Sequence, residues 1–444
     1  MTTGEKEKKG LNISAKSFIS AIAVIFVLMV LTYILTFIVP GGEISFWKWL
    51  LSPVLVLGAE GNGSLIAVLV FLLVIGGVFN SLEKGGLMRY LLDRITYRFG
   101  KNRYALLAVI TLFFMSMGAF IGSYEECVPL VPIVVALAIR LGWDAYAGLG
   151  MSLLAAGCGF ASGVCNPFTV GVAQEVAGLP MFSGMGLRIL SFVMIYGLLW
   201  FFLYRHVKKI ERPLDAEIVA AEFHGTKSMD RGLIWFVGIV GIGIVLVLSS
   251  IFLTFLQDLT MIIIAVMFLT AGITATLVSG MSVKRLGETF VNGIISMLPA
   301  VLMILMANSI KYTLVEAGIL DTLLQGAIDI ASTLPKALVI LFIYLIVLVM
   351  NFFIPSGSAK AFLLMPLVVP AADVFGISAQ LCVLAFAFGD GFSNAFYPTN
   401  PVLLISLGLA DVSYVNWAKW SGKFQFLNLV LTCGLLFLGL AVGY

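Results

Sequence analysis

The feature that most limits what this chain can fold into is a series of apolar runs of about 20 residues, each long enough to cross a lipid bilayer as a helix. The first, from Ser17 to Val39, follows the lysine-rich start MTTGEKEKKG and is too long for a signal-peptide core, so it is expected to stay as a span. Further crossings are expected near 63–83, 146–178, 187–204, 232–256, 259–280, 294–316, 379–416 and 424–443. Only 11% of the 444 residues are charged, against about a quarter in water-soluble domains, so lipid must be the solvent for most of the surface.

Two apolar pairs are shorter, 104–120 with 125–139 and 337–353 with 359–374, each broken by a small polar turn. They read as re-entrant hairpins, with full crossings as the alternative. The expected fold is an all-α polytopic membrane protein with about nine transmembrane helices, two re-entrant hairpins and broken helices. Lys and Arg then fix the orientation, because short cytoplasmic loops hold most of them. Lys84, Arg89, Arg94, Arg98, Lys101 and Arg103 share one loop, 84–103, and Arg205, Lys208, Lys209 and Arg212 begin another, 204–232. With the N-terminus inside a bacterial inner membrane, these loops all fall on the cytoplasmic side.

The halves match without gaps at Pro132 and Pro366, Gly142 and Gly376, Gly157 and Gly391, and Asn166-Pro167 and Asn400-Pro401, each 234 positions apart. Upstream, Glu83 and Glu316, Ile121 and Ile354, and Ser123 and Ser356 are 233 apart, so one residue slips at the hairpin turn. The basic loop 84–103 corresponds to 317–336, where only Lys336 faces Asp321 and Asp329. Equivalent loops on opposite faces make two inverted-topology repeats: 1–210 with the N-terminal span, a cytoplasmic linker 211–231, and 232–444.

Irregular backbone inside a bilayer must line a cavity or be buried in protein. That rule selects the turns GSYEEC (Gly122 to Cys127) and PSGSAK (Pro355 to Lys360), and the breaks ASGVCNPFT (Ala161 to Thr169) and GDGFSNAFYPTNP (Gly389 to Pro401). Candidate solute- or ion-binding residues are Ser123, Glu125, Glu126, Asn166, Thr169, Ser356, Ser358, Lys360, Asp390, Asn394, Thr399 and Asn400. Asn166 and Asn400 precede prolines, where they cap a resumed half-helix or touch the solute; a coupling Na⁺ would also be held near them. Glu125, Glu126, Lys360 and Asp390 are costly at membrane depth, which implies pairing or a functional role. Adjacent Glu125 and Glu126 cannot both ionise cheaply in a dehydrated turn, so a cationic solute would displace a shared proton.

Enzyme chemistry lacks its usual participants. His206 and His224 both lie in one charged loop, and the five cysteines have no metal-ligand spacing, so neither catalysis nor a cofactor is expected. The basic residues form no stripe interleaved with aromatics, which argues against nucleic acid.

The stretches GSYEECVPLVPIVVALAIRLGWD (Gly122 to Asp144) and GFASGVCNPFTVGVAQEVAGLP (Gly159 to Pro180) resemble the YfcC-like branch of the anaerobic C4-dicarboxylate carrier family, within the ion transporter superfamily. The resemblance covers nearly the whole chain. It implies a secondary active transporter of elevator type, with hairpin tips and broken helices forming the site, for either a C4-dicarboxylate or a basic amino acid such as arginine or ornithine. The carboxylates at the turns favour the cationic solute. Na⁺, H⁺ or exchange would drive it, and a homodimer is a candidate assembly. A channel or a non-transporting scaffold is the reading of another class, although a channel favours a continuous polar pore and the polar residues here gather at one depth.

Single cysteines placed in 84–103 and 317–336 of a cysteine-free chain should react with an impermeant thiol reagent from opposite sides. Labelling from the same side would rule out inverted halves.

Overall fold

A computed structural model describes residues 15–59, 63–99, 102–122, 124–180, 182–212, 225–249, 260–319 and 334–444, with positions 322 and 326. Every regular element among them is helical. Five helices are long and apolar enough to cross a membrane: Arg103–Phe120, Ala145–Ser162, Met185–Ile210, Val283–Glu316 and Tyr414–Val442. Shorter apolar helices include Ile22–Ile38, Ala265–Val278 and Ala337–Phe353. Two expectations change. The first hairpin arm, 104–120, is as long as a crossing, so its length alone does not make it half a span. The loop 84–103 contains a helix, Leu87–Phe99, bent 72° from the preceding one. That helix is amphipathic, burying Leu87 and Leu92 while Arg89 and Arg94 stay exposed, as suits an element lying along an interface.

Elements recur at the sequence offset. Hairpin arms begin at Arg103 and Lys336, and the central helices begin at Ala145 and Ala379 and resume at Pro167 and Pro401. The turns before the central helices are built alike. Gly142 and Gly376 are left-handed, with φ of 82° and 64°. Trp143 N–H and Ile377 N–H reach back to the carbonyls of Ala138 and Ala372, and Asp144 and Ser378 then cap the next helix.

These twin turns lie at opposite ends of one helix. Met185–Ile210, 26 residues long, extends about 39 Å. Near its end, Arg212 N–H donates to the Gly142 carbonyl, and the basic segments join there through Arg103–Glu211, Arg94–Asp230 and Arg140–Asp93. At its start, Gly184 accepts from the Tyr444 hydroxyl, and Ser378 donates to the Tyr444 carbonyl. Inverted halves require this placement. Glu316, at a span end as expected, pairs with Lys48.

The broken helices occupy the centre. In Ala145–Ser162, 89% of positions are buried, against 28% in Met185–Ile210, which separates an inner helix from a lipid-facing one. Helix Ala379–Gly391 is buried from Leu381 onward. The two touch where side chains vanish: a Cβ on Gly391 would sit 2.0 Å from the Ala161 Cα. On the outer side Gly63–Lys84 crosses Val283–Glu316, where a Cβ on Gly293 would meet the Gly76 carbonyl at 2.2 Å. Small residues permit such contact in lipid, where packing rather than water exclusion drives association.

Gly391→Leu should therefore lower stability by about 3 kcal/mol or more, because backbone rather than a flexible side chain obstructs it. Thermal unfolding and size-exclusion profiles in detergent should show the loss, while Gly434→Leu, at a position with no atom within 4 Å of an added Cβ, should behave as wild type.

Candidate functional site

Both central helices break, and an asparagine restarts each. The chain turns at Gly163 (φ 47°), and Asn166 Oδ1 then accepts from the amides of Phe168 and Thr169 at 2.9 and 3.3 Å. Asn400 Oδ1 accepts from Val402 and Leu403 at 3.0 and 3.3 Å. Each asparagine is thus a helix cap, and its side-chain oxygen is committed to amides rather than to a coupling cation. Beyond this they differ. Asn400 Nδ2 donates to Asn394 Oδ1 at 3.0 Å, whereas Asn166 Nδ2 is buried without a hydrogen-bond partner among the described residues.

Hairpin tips reach both breaks. Gly122, left-handed at the first tip, lies against Asn166, and Gly357 at the second lies against Thr169 of the first half and Asp390 of the second. The returning arm Gly357–Asp373 packs on the resumed helix of the opposite half, Val172–Val176, and the segment Glu125–Leu130 packs on Pro401–Leu409. Stretches of chain far apart in sequence are joined by this exchange, which brings Glu125, Asn166, Thr169, Lys360, Asp390 and Asn394 into one region.

The second half contains a polar network. Lys360, wholly buried, pairs with Asp390 at 2.5 Å, donates to the Ile354 carbonyl at 2.8 Å and donates to Asn351 Oδ1. Asn351 Nδ2 lies within hydrogen-bond distance of Ser393 Oγ, Asn394 Oδ1 and the Asp390 carbonyl. An ammonium has three protons, and three oxygens surround this one. Lys360 thus donates two hydrogen bonds and adds an ion-pair contact with Asp390, an acid of its own half whose carboxylate oxygens have no hydrogen-bond partner among the described residues. Buried and paired, the two charges nearly cancel.

The remaining candidates are less engaged. Thr169 Oγ1 and Thr399 Oγ1 are buried without partners among the described residues, as is the Tyr124 hydroxyl. Ser356 precedes the second returning arm without capping it and is exposed, while Ser358 is half-buried. Ser123 and the side chain of Glu126 lie outside the described residues. Among the described residues, no group of three or more His, Cys, Asp or Glu is placed to hold a metal.

Two buried groups escaped sequence reasoning. Asn351 interrupts the run LIVLVMNFF, and a lone amide in so apolar an arm is the signal that could have flagged it. Arg188 sits at the edge of an apolar run, where a cation reads as a boundary residue. It is instead fully buried, donating to the carbonyls of Val164 at the first break and Phe182 at 3.3 and 3.1 Å. It thereby fastens the break from behind.

Orphaned donors therefore lie at the first tip and at both breaks, near the Lys360–Asp390 ion pair. Comparison with known proteins agrees with a carrier. The chain is 33% identical over 382 residues to the Escherichia coli K12 protein named "Putative basic amino acid antiporter YfcC", covering 80% of this chain and 74% of that one. A Haemophilus influenzae protein without an assigned function is 26% identical over 373 residues, covering 81% and 73%. Among solved structures, the Alcanivorax borkumensis YdaH transporter aligns over 96% of this chain and 99% of that one, at 18% identity and a TM-score of 0.47. The Neisseria gonorrhoeae efflux pump MtrF aligns over 94% of each, at 16% identity and 0.45. Residues 55–441 match the model of the DcuC family, the C4-dicarboxylate anaerobic carriers, and the chain belongs to that family of membrane transporters.

Proposed function

We propose that the chain is a secondary active transporter that exchanges a basic amino acid such as arginine or ornithine, moving its tips and broken helices against the outer helices in an elevator-type cycle. Its setting is a bacterial inner membrane, with the N-terminus and the basic loops on the cytoplasmic side. The opposed twin turns and the matched element starts support inverted halves, the architecture in which a site forms where the halves meet.

One observation carries the choice of solute. Lys360 is buried against oxygens of its own half and pairs with Asp390, and Glu125 takes part in no ion pair among the described residues. The charge left for a solute is negative on this side, complementary to a guanidinium or ammonium. The amino acid's own carboxylate meets Asn166 Nδ2 at the start of the resumed helix, where the helix dipole favours an anion. The bond between a free amide donor and a carboxylate also removes the desolvation cost, about 1–3 kcal/mol, of leaving that donor unpaired.

The second reading is a C4-dicarboxylate carrier, as the family's name has it, and the same orphaned donors at Asn166, Thr169 and Thr399 favour it. Proteoliposome uptake of labelled arginine, ornithine, succinate and fumarate, with and without ion gradients and with counterflow, decides between them. Glu125→Gln should weaken arginine binding about tenfold or more, some 1.4 kcal/mol, while a dicarboxylate would bind that variant as well or better. Asn166→Asp keeps an oxygen for the cap but replaces the free donor with charge; it should fold normally and lose uptake at least about a hundredfold, or some 2.8 kcal/mol. Near-normal uptake by Asn166→Asp would return that residue to capping alone.

A further inference from the structure

The second half holds its cation on its own side chain. Ile354, the last residue before the second tip, offers a backbone carbonyl; Asn351 offers a side-chain oxygen from the arm before it; Asp390 offers a carboxylate from the break. A carbonyl, an amide oxygen and a carboxylate gathered at membrane depth make a hard-oxygen set of the kind that holds an alkali cation. The atom at its centre is Lys360 Nζ, and an ammonium within hydrogen-bond distance of oxygens has about the reach of a potassium ion. The first half does not repeat this arrangement. At the matching offsets stand Gly118 for Asn351, Glu126 for Lys360 and Ala156 for Asp390, so a carboxylate replaces the lysine and no acid stands at the position that matches Asp390.

We propose that Lys360 is a tethered monovalent cation, resident in the second half where a free ion would otherwise be coordinated, and that in the first half the corresponding positive charge arrives on the solute. The second clause rests on the reading of the solute as a basic amino acid; the first stands on geometry alone. Three consequences follow for the chemistry of the site. The wild-type second half gains nothing from Na⁺ or K⁺, because the Lys360 ammonium already fills the space between these oxygens and balances the Asp390 charge. Removing the lysine side chain beyond Cβ leaves the same oxygens around a buried carboxylate, which demands a cation. Removing the acid as well abolishes that demand.

The test is thermal unfolding of purified protein in detergent, with NaCl, KCl, NH₄Cl or choline chloride at equal ionic strength. Wild type should unfold at the same temperature in all four. Lys360→Ala should unfold at lower temperature in choline and recover in KCl or NH₄Cl, saturably, by about 3 °C or more. The Lys360→Ala/Asp390→Asn double variant should fold and show no response. Equal stabilisation of wild type by Na⁺ or K⁺, or indifference of Lys360→Ala to every cation while the double variant also folds, would overturn the proposal. Should Lys360→Ala be unrecoverable in all four salts, wild-type proteoliposomes decide: exchange within twofold in Na⁺- and K⁺-free buffers supports the tethered cation, and a strict requirement for either ion overturns it. Unfolding temperatures are read without solute, so failure of the amino-acid reading leaves this result intact, and the reverse holds too.

Discussion

Unsatisfied backbone cannot face lipid, and the structure is arranged around that constraint. Two central helices break, at Gly163 to Asn166 and again between Phe392 and Asn400, and each break frees amides and carbonyls that hydrocarbon cannot solvate. The breaks are therefore placed where protein surrounds them, against the hairpin tips and against each other. Asn166 and Asn400 return two amides each to a partner. Arg188 takes a carbonyl at the first break, and Lys360 one at the second tip. The outer helices cross at glycine so that this inner layer can be enclosed.

The same constraint concentrates function. A position where helical hydrogen bonding is interrupted, and where water is excluded, is also a position where a solute's charges find donors and acceptors at little reorganisation cost. Two such positions from opposite ends of the chain meet here, with the tip of one half lodged against the break of the other. Gly357 touches both Thr169 and Asp390, so movement of that tip changes the surroundings of both halves at once. The halves share a plan and differ in charge. Lys360 and Asp390 pair on one side, while Glu125 on the other takes part in no ion pair among the described residues.

Much of this was legible from one-dimensional evidence, because lipid acts on composition directly. Apolar runs had to become helices, and prolines at 167 and 401 had to follow breaks. The matched Asn-Pro pairs gave the register at which the central helices restart. The helix within 84–103 was less legible, since an amphipathic segment at an interface has the charge of a loop and the periodicity of a helix. Asn351 was missed because one amide in an apolar arm carries little weight until the groups around it are known.

By itself, then, the sequence determined that the chain is a helical membrane protein with duplicated breaks, and which residues are too polar to lie idle in lipid. Only tertiary structure decided what those residues do to one another. Lys360 read as a solute ligand or a structural cation, and only the fold places its ammonium against Asn351, Ile354 and Asp390. Asn166 and Asn400 read alike, yet only Asn166 keeps an unpaired donor, because Asn394 happens to reach Asn400. The reason is physical: bilayer insertion depends on what each residue is, whereas the net charge and free donors of a buried site depend on which partners lie within about 3 Å, and those partners come from segments far apart along the chain.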